Sequence, residues 1–234
     1  MTQVLCYGAG VQTFGILCLI KLGELPKPDL AIFADTNGEK PETYQHIVEV
    51  AEPLMHELKI PFIKITRGNL LEEAWTQGHT PRPPLCSKTY KVRPINAYLR
   101  QQELTPATTW IGITTDEAHR ANSPSDVSYI IKRYPLLELE FSRAQVAKAI
   151  DLTGLPRPVK SGCWFCPWNT GRAYWQQLRE KEPNRFVLAV HWEQTTGHKL
   201  SNGSFWLDSL GDKADLPAIE PEADFQCTTG YCNS

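Results

Sequence analysis

Short apolar runs alternate with longer segments of mixed polarity through the first half of the chain. The run VLCY at residues 4–7 is followed by small residues and then by TFGILCLIKL at 13–22, which stops at Gly23. A run of four bounded by turn residues fits a buried strand, and ten residues ending at glycine fit a helix. LAIFA at 30–34 predicts a second strand, ended by Asp35. Pro41, Glu42 and Thr43 then open a long helix to about residue 59, because proline and acids suit a first turn. A third strand is expected at 62–65, a short helix at 70–75, a further helix at 93–101 and a fourth strand at 109–113.

Alternation of this kind implies right-handed crossovers and a doubly wound, mostly parallel sheet, with ligands beyond the carboxyl ends of its strands. After about residue 120 the pattern changes. YPLLEL at 134–139 predicts an edge strand, since a strand containing Pro135 is tolerated only at an edge. Ser142 caps a helix to about residue 152, and Gly154 stops it. A loop rich in Pro, Gly and Cys follows, then aromatic helices at 171–181 and 183–195, then a polar tail from about 197. The expected fold class is α/β, with an α/β domain over 1–140 and a smaller helical, Cys-containing lobe over 141–234.

Composition narrows the functional classes. The chain has 234 residues and a net charge of −2, which excludes an all-over basic nucleic-acid binder and leaves room for a local basic groove. No apolar run reaches the roughly 18 residues of a membrane span, and residues 1–20 lack a signal-peptide pattern. A cytoplasmic address with no membrane partner is the expectation. A homodimer is one open assembly state. Seven cysteines in a reducing compartment read first as metal ligands or redox groups. Cys6 and Cys18 lie in apolar runs and read as core; Cys86, Cys163, Cys166, Cys227 and Cys232 lie in polar, Gly- or Pro-marked surroundings.

Three stretches fall at predicted strand ends. In CYGAGVQT (6–13), small residues let backbone N–H groups approach a phosphate, and Thr13 adds a hydroxyl at a positive helix end; a plain turn reads the same way. In ADTNGEKPET (34–43), Asp35 can accept from a ribose hydroxyl or an adenine amino group, hold a metal, or only cap a turn. In GITTDEAHR (112–120), hydroxyls, acids and Arg120 make either a phosphate clamp or a solvated loop. Arg82, Lys88, Lys91 and Arg93 form a basic patch for nucleotide or nucleic-acid phosphates, or again a solvated loop. Trp164, Trp168, Tyr174 and Trp175 either stack a base or pack around the Cys loop. The six histidines show no metal-ligand pairing.

In their order along the chain, CYGAGVQT, ADTNGEKPET, CSKTYKVRP (86–94) and GITTDEAHR resemble the phosphoadenosine phosphosulfate reductase family, within the adenine-nucleotide alpha-hydrolase (PP-loop) group. The resemblance spans residues 1 to about 170 and implies a Rossmann-like sheet of the PP-loop type. It assigns nucleotide binding to Tyr7, Gly8, Ala9, Gly10, Val11, Gln12, Thr13, Asp35, Thr36, Lys88, Gly112, Thr114 and Arg120. The nucleotide is ATP or another adenine nucleotide, with magnesium an optional companion. The group's loop is usually SGGxDS; here Gly8, Ala9 and Gln12 replace its Ser, Gly and Asp, which favours nucleotide binding over cleavage.

Cys163 and Cys166 form a CxxC that can hold one metal site from a tight turn, and Cys86 would complete a three-thiolate face. The resemblance implies a [4Fe-4S] cluster, because cluster-bearing relatives use a cysteine motif near the first position and a later CxxC. Those reductases have paired cysteines where this chain has Leu85-Cys86, so the fourth ligand is Cys227, Cys232 or an open iron site. Zinc is the alternative metal; a thioredoxin-like CxxC lacks its strand–CxxC–helix setting. The implied function is an enzyme that uses the cluster to pass sulfur from a donor onto an adenylated acceptor, nucleic acid or nucleotide, with Cys86, Cys163, Cys166 and Arg120 as catalytic residues. Sulfonucleotide reduction with sulfite release is the alternative, although the tail FQCTTGYC lacks the family's histidine after the cysteine. A zinc-stabilised nucleotide-binding module is the non-enzymatic alternative.

Overall fold

The computed structural model describes residues 1–77, 85–122, 125, 127–168 and 171–211. In chain order its elements are β1 (Thr2–Cys6), α1 (Val11–Lys21), β2 (Leu30–Asp35), α2 (Pro41–His46), α3 (Glu52–Glu57), β3 (Phe62–Thr66), α4 (Leu70–Gln77), α5 (Leu85–Ser87), α6 (Arg93–Gln101), β4 (Ala107–Trp110), β5 (Ile130–Arg133), α7 (Pro135–Glu138), α8 (Arg143–Leu152), α9 (Arg172–Lys181) and α10 (Pro183–Thr196). A π-helical turn, Ile47–Ala51, joins α2 to α3 inside the expected long helix, and a second, Lys88–Val92, joins α5 to α6. Short 3-10 helices span Thr115–Asn122 and Leu207–Leu210.

All five strands are parallel, in the order β3-β2-β1-β4-β5. Strand residues alternate between two apolar layers, as the period of two requires. Leu5, Ala31 and Phe33 face a core shared with α1, α3 and α8; Val4, Leu30, Ile32 and Ala34 face one built on Ile95 and Leu99 of α6. A sheet covered on both faces can be apolar throughout, and β2 is buried at all six positions. The winding reverses between β1 and β4, so the switch point lies at the carboxyl end of β1.

One sequence expectation changes and its neighbour holds. The segment 134–139 does not form the edge strand: Pro135 opens α7 at its first turn with Leu136 fully buried, and the edge strand is β5 just before it. Proline lacks the N–H a ladder needs and its φ is preset for a helix start. The helix at 143–152 does form, with a capping box in which Gln145 N donates to Ser142 Oγ (3.3 Å) and Ser142 N to Gln145 Oε1 (2.8 Å).

The chain divides into two compact units. The first is residues 1–67 with 88–161; the second is 68–87 with 162–234. Residue 140, the expected boundary, lies inside the first unit because α8 packs on α1, with Val146 against Gly15. In the second unit α9 packs on α10, burying Trp175, Leu178, Phe186 and Trp192. No described helix is long and apolar enough to cross a membrane.

Candidate functional site

The loop from β1 to α1 sits at the switch point. Tyr7 N donates to Ile32 O (2.8 Å), extending the β1–β2 ladder by one residue. The Tyr7 side chain is 2% exposed and packed edge-on to Phe62 in the core. Burial raises the pKa of its phenol and keeps it neutral. Ala9 adopts a left-handed conformation (φ 53°), letting the backbone turn into α1. Gly8 N donates to Thr13 Oγ1 (3.2 Å) and that hydroxyl donates to Gly10 O (3.2 Å). The threonine therefore braces the loop against the first helical turn.

Backbone crowding defines this cradle. A β-carbon on Gly10 would lie 2.7 Å from Ser161 Oγ. One on Gly112, just beyond β4, would lie 2.9 Å from Thr13 Cγ2 and 3.1 Å from both Gln12 Cβ and Thr13 N. Two glycines thus bring the chain after β4 and the segment before Gly162 against the start of α1. The first amides of a helix have no partner four residues back, and the helix dipole is positive there. No acidic side chain occupies the first turn of α1 to offset that charge. Thr114 is fully buried beside this crossing, and its Oγ1 makes no hydrogen bond among the described residues.

Asp35, at the end of β2, is 1% exposed and already engaged. Its Oδ1 accepts from Tyr44 Oη (2.6 Å) and Asn37 N (2.8 Å), and its Oδ2 pairs with Lys64 Nζ (3.2 Å). Burial and the neighbouring carboxylate push the Tyr44 pKa up, keeping it a proton donor. Glu39, also buried, pairs with Lys91 Nζ (2.9 Å). Lysines from β3 and the second π turn thus neutralise two acids of ADTNGEKPET, and Asp35 shapes the loop around Asn37 and Thr36. Thr36 is buried, and Lys88 is exposed.

Arg120 lies on the exposed 3-10 helix and pairs with Glu117 three residues before it. Asp116 Oδ2 in the same segment accepts from Arg143 N (2.6 Å), a carboxylate at the positive end of α8. The acids of GITTDEAHR therefore hold local structure. A cleft of about 420 Å³ opens past the end of β3, lined by Thr66, Arg67, Thr89, Arg93 and Tyr98. Arg67 is a cation that sequence reasoning missed; its guanidinium lies 4.8 Å from the Tyr90 ring centroid. Its position directly after a strand end was the available signal.

Of the two cysteines expected in the core, Cys18 is buried and Cys6 only half-buried, in the same range as Cys86, Cys163 and Cys166. Cys18 is fully buried, and burial pushes its thiol up to about 11 and that of Cys6 up to about 12, so both stay protonated. Cys163 and Cys166 flank a turn closed by Cys166 N donating to Cys163 O (3.0 Å), and both are half-buried. A turn of this kind holds its ends within about 7 Å, the reach of one metal site. Cys86 belongs to the same compact unit. The donor set is right in kind for a thiolate-bound group, but no three metal-ligating side chains are gathered among the described residues. Cys227, Cys232 and Arg82 lie outside the described residues. Of the aromatic set, Trp164 and Trp175 are buried and Tyr174 Oη donates to Trp164 O (2.7 Å), so these three pack the Cys loop. Trp168 is exposed.

No protein-family model matches the chain, and no curated protein matches it in sequence. Solved structures do match. The crystal structure of a phosphoadenylyl-sulfate (PAPS) reductase from Candida auris, a phosphate complex, aligns with TM-score 0.52 and 22% identity over 70% of this chain and 82% of that one. The U34-tRNA thiolase NcsA from Methanococcus maripaludis, with its [4Fe-4S] cluster, aligns more loosely, with TM-score 0.45 and 13% identity over 84% of this chain and 72% of that one. The parallel order β3-β2-β1-β4-β5, the glycine cradle at its switch point and the structural match agree: this chain has the α/β fold of a PAPS reductase.

Proposed function

We propose that the first unit binds an adenine nucleotide at the β1–α1 loop and that the chain is a sulfur-transferring enzyme of the PAPS reductase-like kind. The observation that carries the nucleotide reading is the crowding of Gly10 and Gly112 against the α1 N-terminus, at the switch point of a parallel sheet. Those glycines pack the segments tightly around the start of α1, while Gly8, with nothing nearer than 4.0 Å to where its β-carbon would stand, leaves the approach open, so that phosphate oxygens would meet the amides of Gly10, Val11 and Gln12. The buried Thr114 hydroxyl, without a partner among the described residues, is a group that a bound nucleotide would satisfy. Lys88 and Arg120, both exposed, would neutralise the charge of the phosphate.

In the proposed reaction ATP adenylates an oxygen of the acceptor and pyrophosphate leaves. A hydrosulfide-level sulfur then attacks the activated carbon and AMP departs with the oxygen, so no net oxidation occurs. Gln12, where the family loop carries an acid, makes this loop a phosphate holder and not a base. Cys163 and Cys166 would hold two corners of a thiolate-ligated group, with Cys86 from the same unit and a tail cysteine as further ligands. A [4Fe-4S] cluster bound there would supply a seat for the sulfur atom, whereas zinc would supply structure alone. The test is calorimetric titration of the full chain with ATP and with AMP. Gly112→Ala drives a β-carbon into Thr13 N, and losing one or two charge-assisted amide contacts should weaken ATP binding about tenfold to a hundredfold. Unchanged affinity in a folded Gly112→Ala protein would sink the site.

A further inference from the structure

The second unit carries five tryptophans with described side chains, and they divide sharply. Trp164, Trp175 and Trp192 are at most 6% exposed, whereas Trp168 is 58% and Trp206 40% exposed. The two exposed indoles line one surface cleft of about 500 Å³, together with His198, Lys199 and Asn202. Trp168 follows Cys166 by two residues, so the cleft adjoins the cysteine turn. The chain reaches it through a left-handed cap at Gly197 (φ 70°) and a second left-handed turn at Asn202 (φ 53°) and Gly203 (φ 80°). Lys199 Nζ stands 5.1 Å from the Trp206 ring centroid and also reaches Gly203 O at 3.4 Å. Arg172 lies 5.3 Å from the ring of Phe205, the residue before Trp206.

Leaving two indoles in water forgoes burial that this unit achieves for three others. Wide aromatic faces with a flanking cation match a flat base joined to a phosphate, because stacking takes any base and the cation meets its backbone. We infer that the Trp168–Trp206 cleft binds an unstacked base of a single-stranded nucleic acid, with Lys199 at the adjoining phosphate. Both indoles sit at the surface, so a base still attached to its strand can enter sideways. The inference rests on the proposed sulfur-transfer reading only in naming the acceptor class, since it makes that acceptor a polynucleotide.

The experiment titrates the full chain into a fluorescein-labelled, mixed-sequence RNA dodecamer and follows anisotropy at two salt concentrations, with indole emission as a second signal. Trp168→Leu combined with Trp206→Leu should weaken binding by about tenfold or more, and Lys199→Ala should reduce the salt slope by about one. The exposed positions of these side chains let the variants keep the wild-type unfolding midpoint and ATP affinity, which are measured alongside. Equal affinity of wild type and the double variant overturns the cleft. So does equal affinity for the same sequence as a duplex, or saturation of the emission change by a mononucleotide as tightly as by the dodecamer. If the dodecamer fails to bind while ATP binds, the cleft inference falls and the nucleotide site stands. If Gly112→Ala abolishes ATP binding while the dodecamer still depends on both tryptophans, the cleft is supported as a separate site.

Discussion

His46 shows how one buried residue records its surroundings. It is 9% exposed, packed edge-on to Phe14 at 4.6 Å, with Nε2 donating to Pro156 O at 2.9 Å. Nδ1 is then the bare ring nitrogen, buried without a partner among the described residues. Burial lowers the pKa of this histidine, and the carbonyl contact offsets only part of that. The unfolded chain takes up a proton below about pH 6.5 while the folded one resists it, so stability is full above that value and is lost as the pH falls through it. Urea unfolding at pH 7.5 and 5.5 should show a smaller acid loss in His46→Gln than in the wild type. An identical loss in both would remove His46 from the account. Asp35 makes the converse point: its expected partner was a nucleoside, yet Tyr44, Asn37 and Lys64 already hold it. Asp35→Asn should cost about 2 kcal/mol in urea unfolding, the scale of a buried charged hydrogen bond disrupted.

At the scale of elements, the contact between α1 and α8 fixes where the sheet unit ends. Gly15 lies in the middle of α1, where glycine costs about 1 kcal/mol relative to alanine. A β-carbon there would overlap Val146 Cγ1 of α8, which explains why the helix carries it. Gly15→Ala is therefore expected to destabilise by about 1–3 kcal/mol despite its better propensity, since overpacking a stiff β-branched neighbour outweighs the gain. Adding Val146→Ala should recover part of that loss, and a double-mutant cycle on unfolding free energies measures the coupling. Additive effects would show that the two helices do not share this contact.

For the whole molecule, the division into units decides which chemistries sit together. Cys86 falls in the same compact unit as Cys163 and Cys166, outside the sheet unit, although the three thiols are not gathered into one cluster among the described residues. Protein purified anaerobically is expected to carry iron and acid-labile sulfide, and Cys163→Ala should lose both with the visible absorbance of a cluster. Zinc without sulfide would favour the structural-metal alternative. Sulfite release from an adenylyl sulfate with a thiol donor, lost on Cys227→Ser, would instead favour sulfonucleotide reduction.

The sequence by itself determined the α/β alternation, because short runs such as VLCY and LAIFA, bounded by turn residues and alternating with longer amphipathic or apolar segments, have the length of buried strands. It also determined the Ser142 cap and the core character of Cys18, since both follow from neighbours close in the chain. The ordered motifs located the cradle, and spacing found the CxxC. Tertiary structure alone decided the rest. Whether Pro135 began a helix or marked an edge strand depended on which neighbouring segment took the place beside β4. That Gly112 abuts Thr13 and that Lys64 neutralises Asp35 are contacts between residues distant in the chain. Periodicity carries burial within an element, but pairing across elements is set by packing, which no local pattern encodes.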